Sequence, residues 1–250
     1  MKTFILALQL MTRLPVNKEI EVTDERLIRG IVYWPFVGVI VGAIDCIVFA
    51  LLSFFVPVSV AAAFAVLCQL FVTGGFHLDG LCDTADAIYS ARTKERMLEI
   101  MKDSRVGTNG VIAAIFDIGL KILILCQLEN PVLAILLFPA AGKCVQGILM
   151  YKANYPRERG LGASYVGKIK AGTMLGCLVC GLLMIELGLW LGGYRLLLAA
   201  PVVFILVSIG YRFYIEKKIG GMTGDTLGAG SEVAELVFLL TLLIGQRFGL

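Results

Sequence analysis

Seven stretches of this chain are mostly apolar, at about 31–55, 57–75, 110–128, 131–150, 171–191, 195–215 and 232–248. Each approaches the roughly 20 residues that carry a helix across about 30 Å of hydrocarbon. Two shorter segments read differently. Phe4 to Met11 is too short to span and is followed by no small-residue cleavage site, so an interfacial or packed helix suits it better than a cleaved signal peptide. Lys94 to Lys102 sets Met97, Leu98, Ile100 and Met101 against Glu95, Glu99 and Lys102, the pattern of a helix lying along the membrane surface. The expected fold is all-α, a polytopic membrane helix bundle of about seven transmembrane helices plus short interfacial helices. No linker, repeat or soluble domain interrupts it, so residues 1–250 read as a single integral-membrane domain.

Composition agrees: 58% of residues are hydrophobic and only 16% charged, far from a soluble domain. Lysine and arginine set the orientation. The segment before the first span and the second, third and last polar loops carry 5, 5, 6 and 3 of them, Lys143 included, against Lys121, Arg195 and Arg247 on the other side. That asymmetry puts the N-terminus and the three long loops in the cytoplasm and the C-terminus outside. The net charge of +3 is therefore topological and calls for no nucleic acid. All seven cysteines but Cys82 lie in apolar segments and read as packing residues.

The chemistry concentrates in Gly74 to Asp86. His77 is the only histidine, and Asp79, Asp83 and Asp86 are spaced i, i+4, i+7, which puts three carboxylates on one helical face. Such a face can be a solvated surface with capping aspartates. Three aspartates with no glutamate at a membrane boundary favour a hard divalent cation instead. The last loop adds Asp225, Glu232 and Glu235 at the mouth of the seventh span, on the same side, with Ser231 placed to cap that helix. Between them Lys102, Asp103, Ser104 and Arg105 lead into Gly107-Thr108-Asn109-Gly110, whose amides at a helix start make a candidate anion cradle. Two acidic sets around a cradle resemble the way metal ions bridge a phosphoanhydride. Asp45, Asp117 and Glu186 fall inside spans, where a carboxylate needs protein or water to face.

Three ordered motifs, His77-Leu-Asp79-Gly80-Leu-Cys-Asp83-Thr-Ala-Asp86, Met97 through Gly110, and Gly221-Met-Thr-Gly224-Asp225-Thr-Leu-Gly228-Ala, resemble the cobalamin synthase family. Leu10 to Pro15 and Gly30 to Gly42 are similar too, so the likeness covers essentially the whole chain. The resemblance implies a magnesium-dependent, multi-pass enzyme of the cell inner membrane with its active site facing the cytoplasm. It would join adenosylcobinamide-GDP to α-ribazole, or its 5′-phosphate, and release GMP. On that reading Asp79, Asp83, Asp86, Asp225, Glu232 and Glu235 hold Mg²⁺, and Lys102, Ser104, Arg105, Gly107 and Asn109 hold phosphate. His77 or a carboxylate takes the proton, and His77, Asp83, Lys102 and Arg105 are the catalytic set. The number of metal ions, the preferred lower base and the oligomeric state, a homo-oligomer included, stay open. Asp83-x-x-Asp86 before Ala91-Arg92 also resembles the CDP-alcohol phosphotransferase signature, but Ala87 replaces its glycine and no later Asp-x-x-x-Asp follows. A cation-coupled transporter is the alternative from another class, favoured by the intramembrane acids and disfavoured by acidic sets at loop boundaries.

Overall fold

The computed structural model describes residues 1–194 and 199–249, and the start of the expected sixth span, with Arg195, lies outside them. The helices in chain order are α1 (Lys2–Met11), α2 (Asp24–Gly30), α3 (Trp34–Ser53), α4 (Val58–Thr73), α5 (Phe76–Ile88), α6 (Lys94–Ile100), α7 (Thr108–Leu125), α8 (Pro131–Cys144), α9 (Gln146–Met150), α10 (Ala171–Leu191), α11 (Ala199–Ile219) and α12 (Gly224–Arg247). Short 3-10 turns stand at Ile31–Tyr33 and Leu161–Ser164.

Among the described residues, six helical segments are long and apolar enough to cross a membrane, with α8 and α9 counted as one. A seventh crossing requires α4, which is only 16 residues long and meets α5 at 92°. We read α4 as the crossing and α5 as a helix running along the boundary. The expected spans thus hold to within a few residues except the last. There α12 begins at Gly224, eight residues before the apolar run, because Thr223 caps it in a box with Thr226. Ser231, expected as the cap, is instead buried inside the helix.

The bundle is layered by burial. The α8–α9 span is 78% buried and α12 67%, against 22% for α10, so α8 and α12 form the centre. Phe54, Phe71 and Phe116 point outward, as lipid-facing side chains should. The tightest crossing, α3 on α8, depends on Gly38-xxx-Gly42: a Cβ on Gly38 would stand 2.6 Å from the Ala140 Cα. Small residues at that spacing let two backbones approach where lipid offers no competing hydrophobic drive.

Candidate active site

Gly74 and Gly75, with φ of +70° and +69°, end α4 and start α5. Two consecutive left-handed residues cost glycine little and other residues a good deal, and they turn the chain out of its span. Arg13 braces the turn from α1's end: its amide donates to the Val72 carbonyl at 2.7 Å, and its side chain lies across Gly74.

From that turn α5 presents two faces. Gly80, on the inner one, packs on the start of α12, where a Cβ would come within 2.6 Å of the Asp225 carbonyl. The other face carries Asp79, Asp83 and Asp86, as the spacing predicts. Asp79 is exposed and Asp83 half-buried. The Asp83 carboxyl is pushed up to about 7, first by burial and then by the charges of Asp79 and Asp225, with Arg157 opposing. These acids are close enough to repel one another.

Asp86 does a different job. It accepts from the Gly107 and Gly110 amides at 2.7 and 2.8 Å and so caps α7, whose own N-terminal residue supplies no side-chain cap. The expected anion cradle is real, but the anion in it is the protein's own carboxylate. This corrects the reading of Gly107 and its neighbours as open phosphate donors, and of Asp86 as an open metal ligand. Lys102, Ser104 and Arg105 are exposed, with Asn109 half-buried. Arg105 spends its guanidinium on Asp103, at 3.0 and 2.7 Å, which draws that carboxyl down to about 2.

His77 is also displaced from its expected place. It is buried on the inner face of α5, its ring 3.8 Å from that of Phe76. Burial, then the charges of Lys143 and Lys121, hold its pKa well below the ordinary value, so the ring stays neutral.

Glu232 and Glu235 part company with Asp225. Both are buried about two and three turns into α12, with Lys121 between them. Lys121 lies 3.0 Å from Asp117 and 3.1 Å from Glu235, and it also pairs with Glu232. Lys143 reaches Glu235 at 3.3 Å and Ser231 at 3.1 Å, and Gln69 donates to Glu235 at 2.8 Å. These glutamates are neutralised inside the bundle rather than offered to a ligand, which corrects the expected six-carboxylate metal set. Lys143 accordingly sits in the core and drops out of the loop charge count. Asp45, by contrast, is buried with neither carboxyl oxygen hydrogen-bonded.

A residue of the third loop, read as an ordinary positive-side anchor, completes the boundary set. Arg157 stands 2.7 Å from Asp225 with its side chain only 10% exposed. It faces a cavity of about 380 Å³ walled by the end of α1, the α4–α5 turn, the 155–165 loop and the start of α12. Gln9, Arg13, Phe76, Asp79, Tyr155 and Asp225 line it with Arg157. Two other cavities, of about 320 and 390 Å³, are an apolar recess behind α5 and a pocket at the far end near Glu129 and Gln246. Neither joins carboxylates to guanidinium groups. Among the described residues no three His, Cys, Asp or Glu side chains converge at metal-ligating geometry, and Asp225 is engaged by Arg157. The donor chemistry of Asp79, Asp83 and Asp225, all carboxylate oxygen and mutually repelling, nevertheless fits a hard divalent cation.

Comparison with known proteins gives this arrangement a family. A model described as cobalamin-5-phosphate synthase matches residues 3–243. An adenosylcobinamide-GDP ribazoletransferase of Clostridium novyi (strain NT) is 43% identical over 253 residues, covering all of both chains. Its namesake in Klebsiella pneumoniae (strain 342) is 42% identical over 248 residues, covering 97% of this chain and 99% of that one. No solved structure matches. The likeness to CDP-alcohol phosphotransferases and the transporter alternative gain nothing from these matches. Of the intramembrane acids a transporter would use, Asp117 is answered by Lys121, while Asp45 and the Glu186 Oε1 have no hydrogen-bond partner among the described residues. The chain belongs to the cobalamin-5-phosphate synthase family.

Proposed function

We propose that this protein joins adenosylcobinamide-GDP to α-ribazole, or to its 5′-phosphate, and releases GMP at the cytoplasmic boundary of the cell inner membrane. The observation that carries the reading is the cavity where Asp79 and Asp225 meet Arg13 and Arg157, with Asp83 alongside. Whole-length similarity to proteins named for that reaction supports it. So does the asymmetry of lysine and arginine, which favours a cytoplasmic site.

In the reaction a ribose hydroxyl that is free in both α-ribazole and its 5′-phosphate, and so not the 5′-oxygen, bonds through its oxygen to the phosphorus nearer the cobinamide. The bond from that phosphorus to the bridging oxygen breaks, and GMP leaves with the electron pair. Asp79, Asp83 and Asp225 would hold Mg²⁺, which when bound neutralises pyrophosphate charge and polarises the phosphorus. Arg157 and Arg13 would hold phosphate oxygens and orient the leaving group. The proton of that hydroxyl goes to a carboxylate of the boundary set. His77, buried on the inner face of α5 and held neutral, stands apart from these carboxylates and is not assigned that step.

The test is purified protein in nanodiscs with adenosylcobinamide-GDP, α-ribazole and Mg²⁺. GMP and a completed corrinoid should appear in equal amounts and cease when Mg²⁺ is chelated. No GMP with all three present would overturn the reading.

A further inference from the structure

We propose that the cavity beneath the α4–α5 turn is a guanine-selective seat for the nucleotide half of the substrate, read by the side-chain carbonyl of Gln9. The inference rests on the reaction proposed above and deepens it.

Gln9 donates both amide hydrogens to backbone, to the Val16 carbonyl and the Lys18 carbonyl, each at 2.8 Å. Two carbonyl acceptors fix which end of the amide is nitrogen. What Gln9 has left to offer the cavity it lines is therefore an acceptor, its Oε1. Guanine presents N1–H and an amino group on one edge, and both can donate to that oxygen. Adenine sets its unprotonated N1 beside its one amino group, so it can give that oxygen a single hydrogen bond only with an acceptor crowded against an acceptor. Guanine gives two, and that difference selects against adenine.

The rest of the cavity suits a nucleotide. Phe76 and Tyr155 give aromatic faces on which a base can stack, and Tyr155 is backed by Gly162, where a Cβ would lie 2.8 Å from its Cε2. At the other end the Arg157 Nε and Nη2 are buried without hydrogen-bond partners, since the 2.7 Å approach to Asp225 is out of hydrogen-bond alignment. A buried guanidinium with unmade bonds is costly, and its planar fork matches a phosphate. Base at the α1 end and phosphate at the Asp225 end give the nucleotide one orientation.

Displacement of N-methylanthraniloyl-GDP by GDP, IDP and ADP, with Mg²⁺ present and protein in nanodiscs, tests this. GDP should bind at least about 10-fold tighter than ADP, with IDP between them because it keeps N1–H and lacks the amino group. Gln9→Leu should bring GDP and ADP within about 3-fold of each other. Arg157→Gln should weaken both by about 10-fold and leave their ratio intact. Because Gln9→Leu also frees the Val16–Lys18 loop, the ratio is the readout, and the wild-type series and Arg157→Gln decide the matter if that variant does not fold. Equal binding of GDP and ADP by the wild type, or an unchanged GDP affinity in Arg157→Gln, overturns the seat. Should wild type release GMP yet bind GDP and ADP equally, the seat fails and the reaction stands. A guanine-selective cavity with no GMP release keeps the seat and overturns the reaction.

Discussion

Two acidic regions of this molecule use the same side chains to opposite ends. At the boundary, Asp79 and Asp225 line a cavity with Asp83 beside them, and the three have one buried guanidinium among them. About two to three turns deeper along α12, Asp117, Glu232 and Glu235 close around Lys121 and Lys143. The deeper set is neutralised by the protein, because in a lipid-embedded core an unanswered charge is prohibitive. The shallow set is left partly unanswered, which is the condition for binding a cation or a charged substrate. Local charge therefore marks a site only where the fold withholds the partner.

The contrast can be broken at either end. Asp83→Asn removes an unanswered carboxylate, and turnover should fall by about 10³-fold or more with no change in helical content or monodispersity. Near-normal product formation at saturating Mg²⁺ would remove Asp83 from the site. Lys121→Met leaves three carboxylates buried around one lysine, and the protein should lose about 3–5 kcal/mol of stability. Adding Glu232→Gln should restore part of the loss in a thermal melt, and an unchanged melt would mean the network is not balanced through Lys121.

On the proposed reading, protons would compete with Mg²⁺ in the shallow region. With its carboxyl at about 7, Asp83 is increasingly protonated as pH falls below that value and ionised above it. The Mg²⁺ concentration for half-maximal activity should rise below pH 7, by up to about tenfold per pH unit, and level off above. A pH-independent Mg²⁺ requirement would contradict the shift. Smaller again, Asp86→Ala should cost about 1 kcal/mol as a lost cap and speed hydrogen exchange at the Gly107 and Gly110 amides. If exchange there is unchanged, the cap is not formed in solution. Arg105→Ala, at an exposed pair with Asp103, should move kcat/KM by less than about 3-fold, and a 100-fold loss would return Arg105 to the catalytic set.

The fold was largely legible because its signal is long-range and redundant: each span is some 20 apolar residues, and no single substitution hides it. The Asp79, Asp83, Asp86 face was legible for the same reason that α5 is a helix, since a period of 3.6 stacks i, i+4 and i+7. His77 was misplaced because proximity in sequence says little about side, and two residues along a helix is more than half a turn. Glu232 and Glu235 were misplaced because their partners stand on α7 and α8, some 90 to 114 positions away. One local signal did exist, the i, i+4 pair of Asp117 and Lys121, which announces a charge at mid-span that needs company. Arg157 carried no such signal, lying among loop arginines that topology alone accounts for.

By itself, the sequence determined that the chain crosses a membrane about seven times, that its long polar loops share one side, and that three aspartates occupy one face of a helix. These follow from hydrophobic transfer and helical geometry, which act on neighbouring residues. Only the tertiary structure decided which carboxylates stay available. Packing α12 between α7 and α8 brings Lys121 and Lys143 to the glutamates, docking α7 against α5 spends Asp86, and folding the third loop over the α4–α5 turn delivers Arg157 to Asp225. Charge neutralisation is a property of who meets whom in space, and no pattern along one strand of chain encodes it.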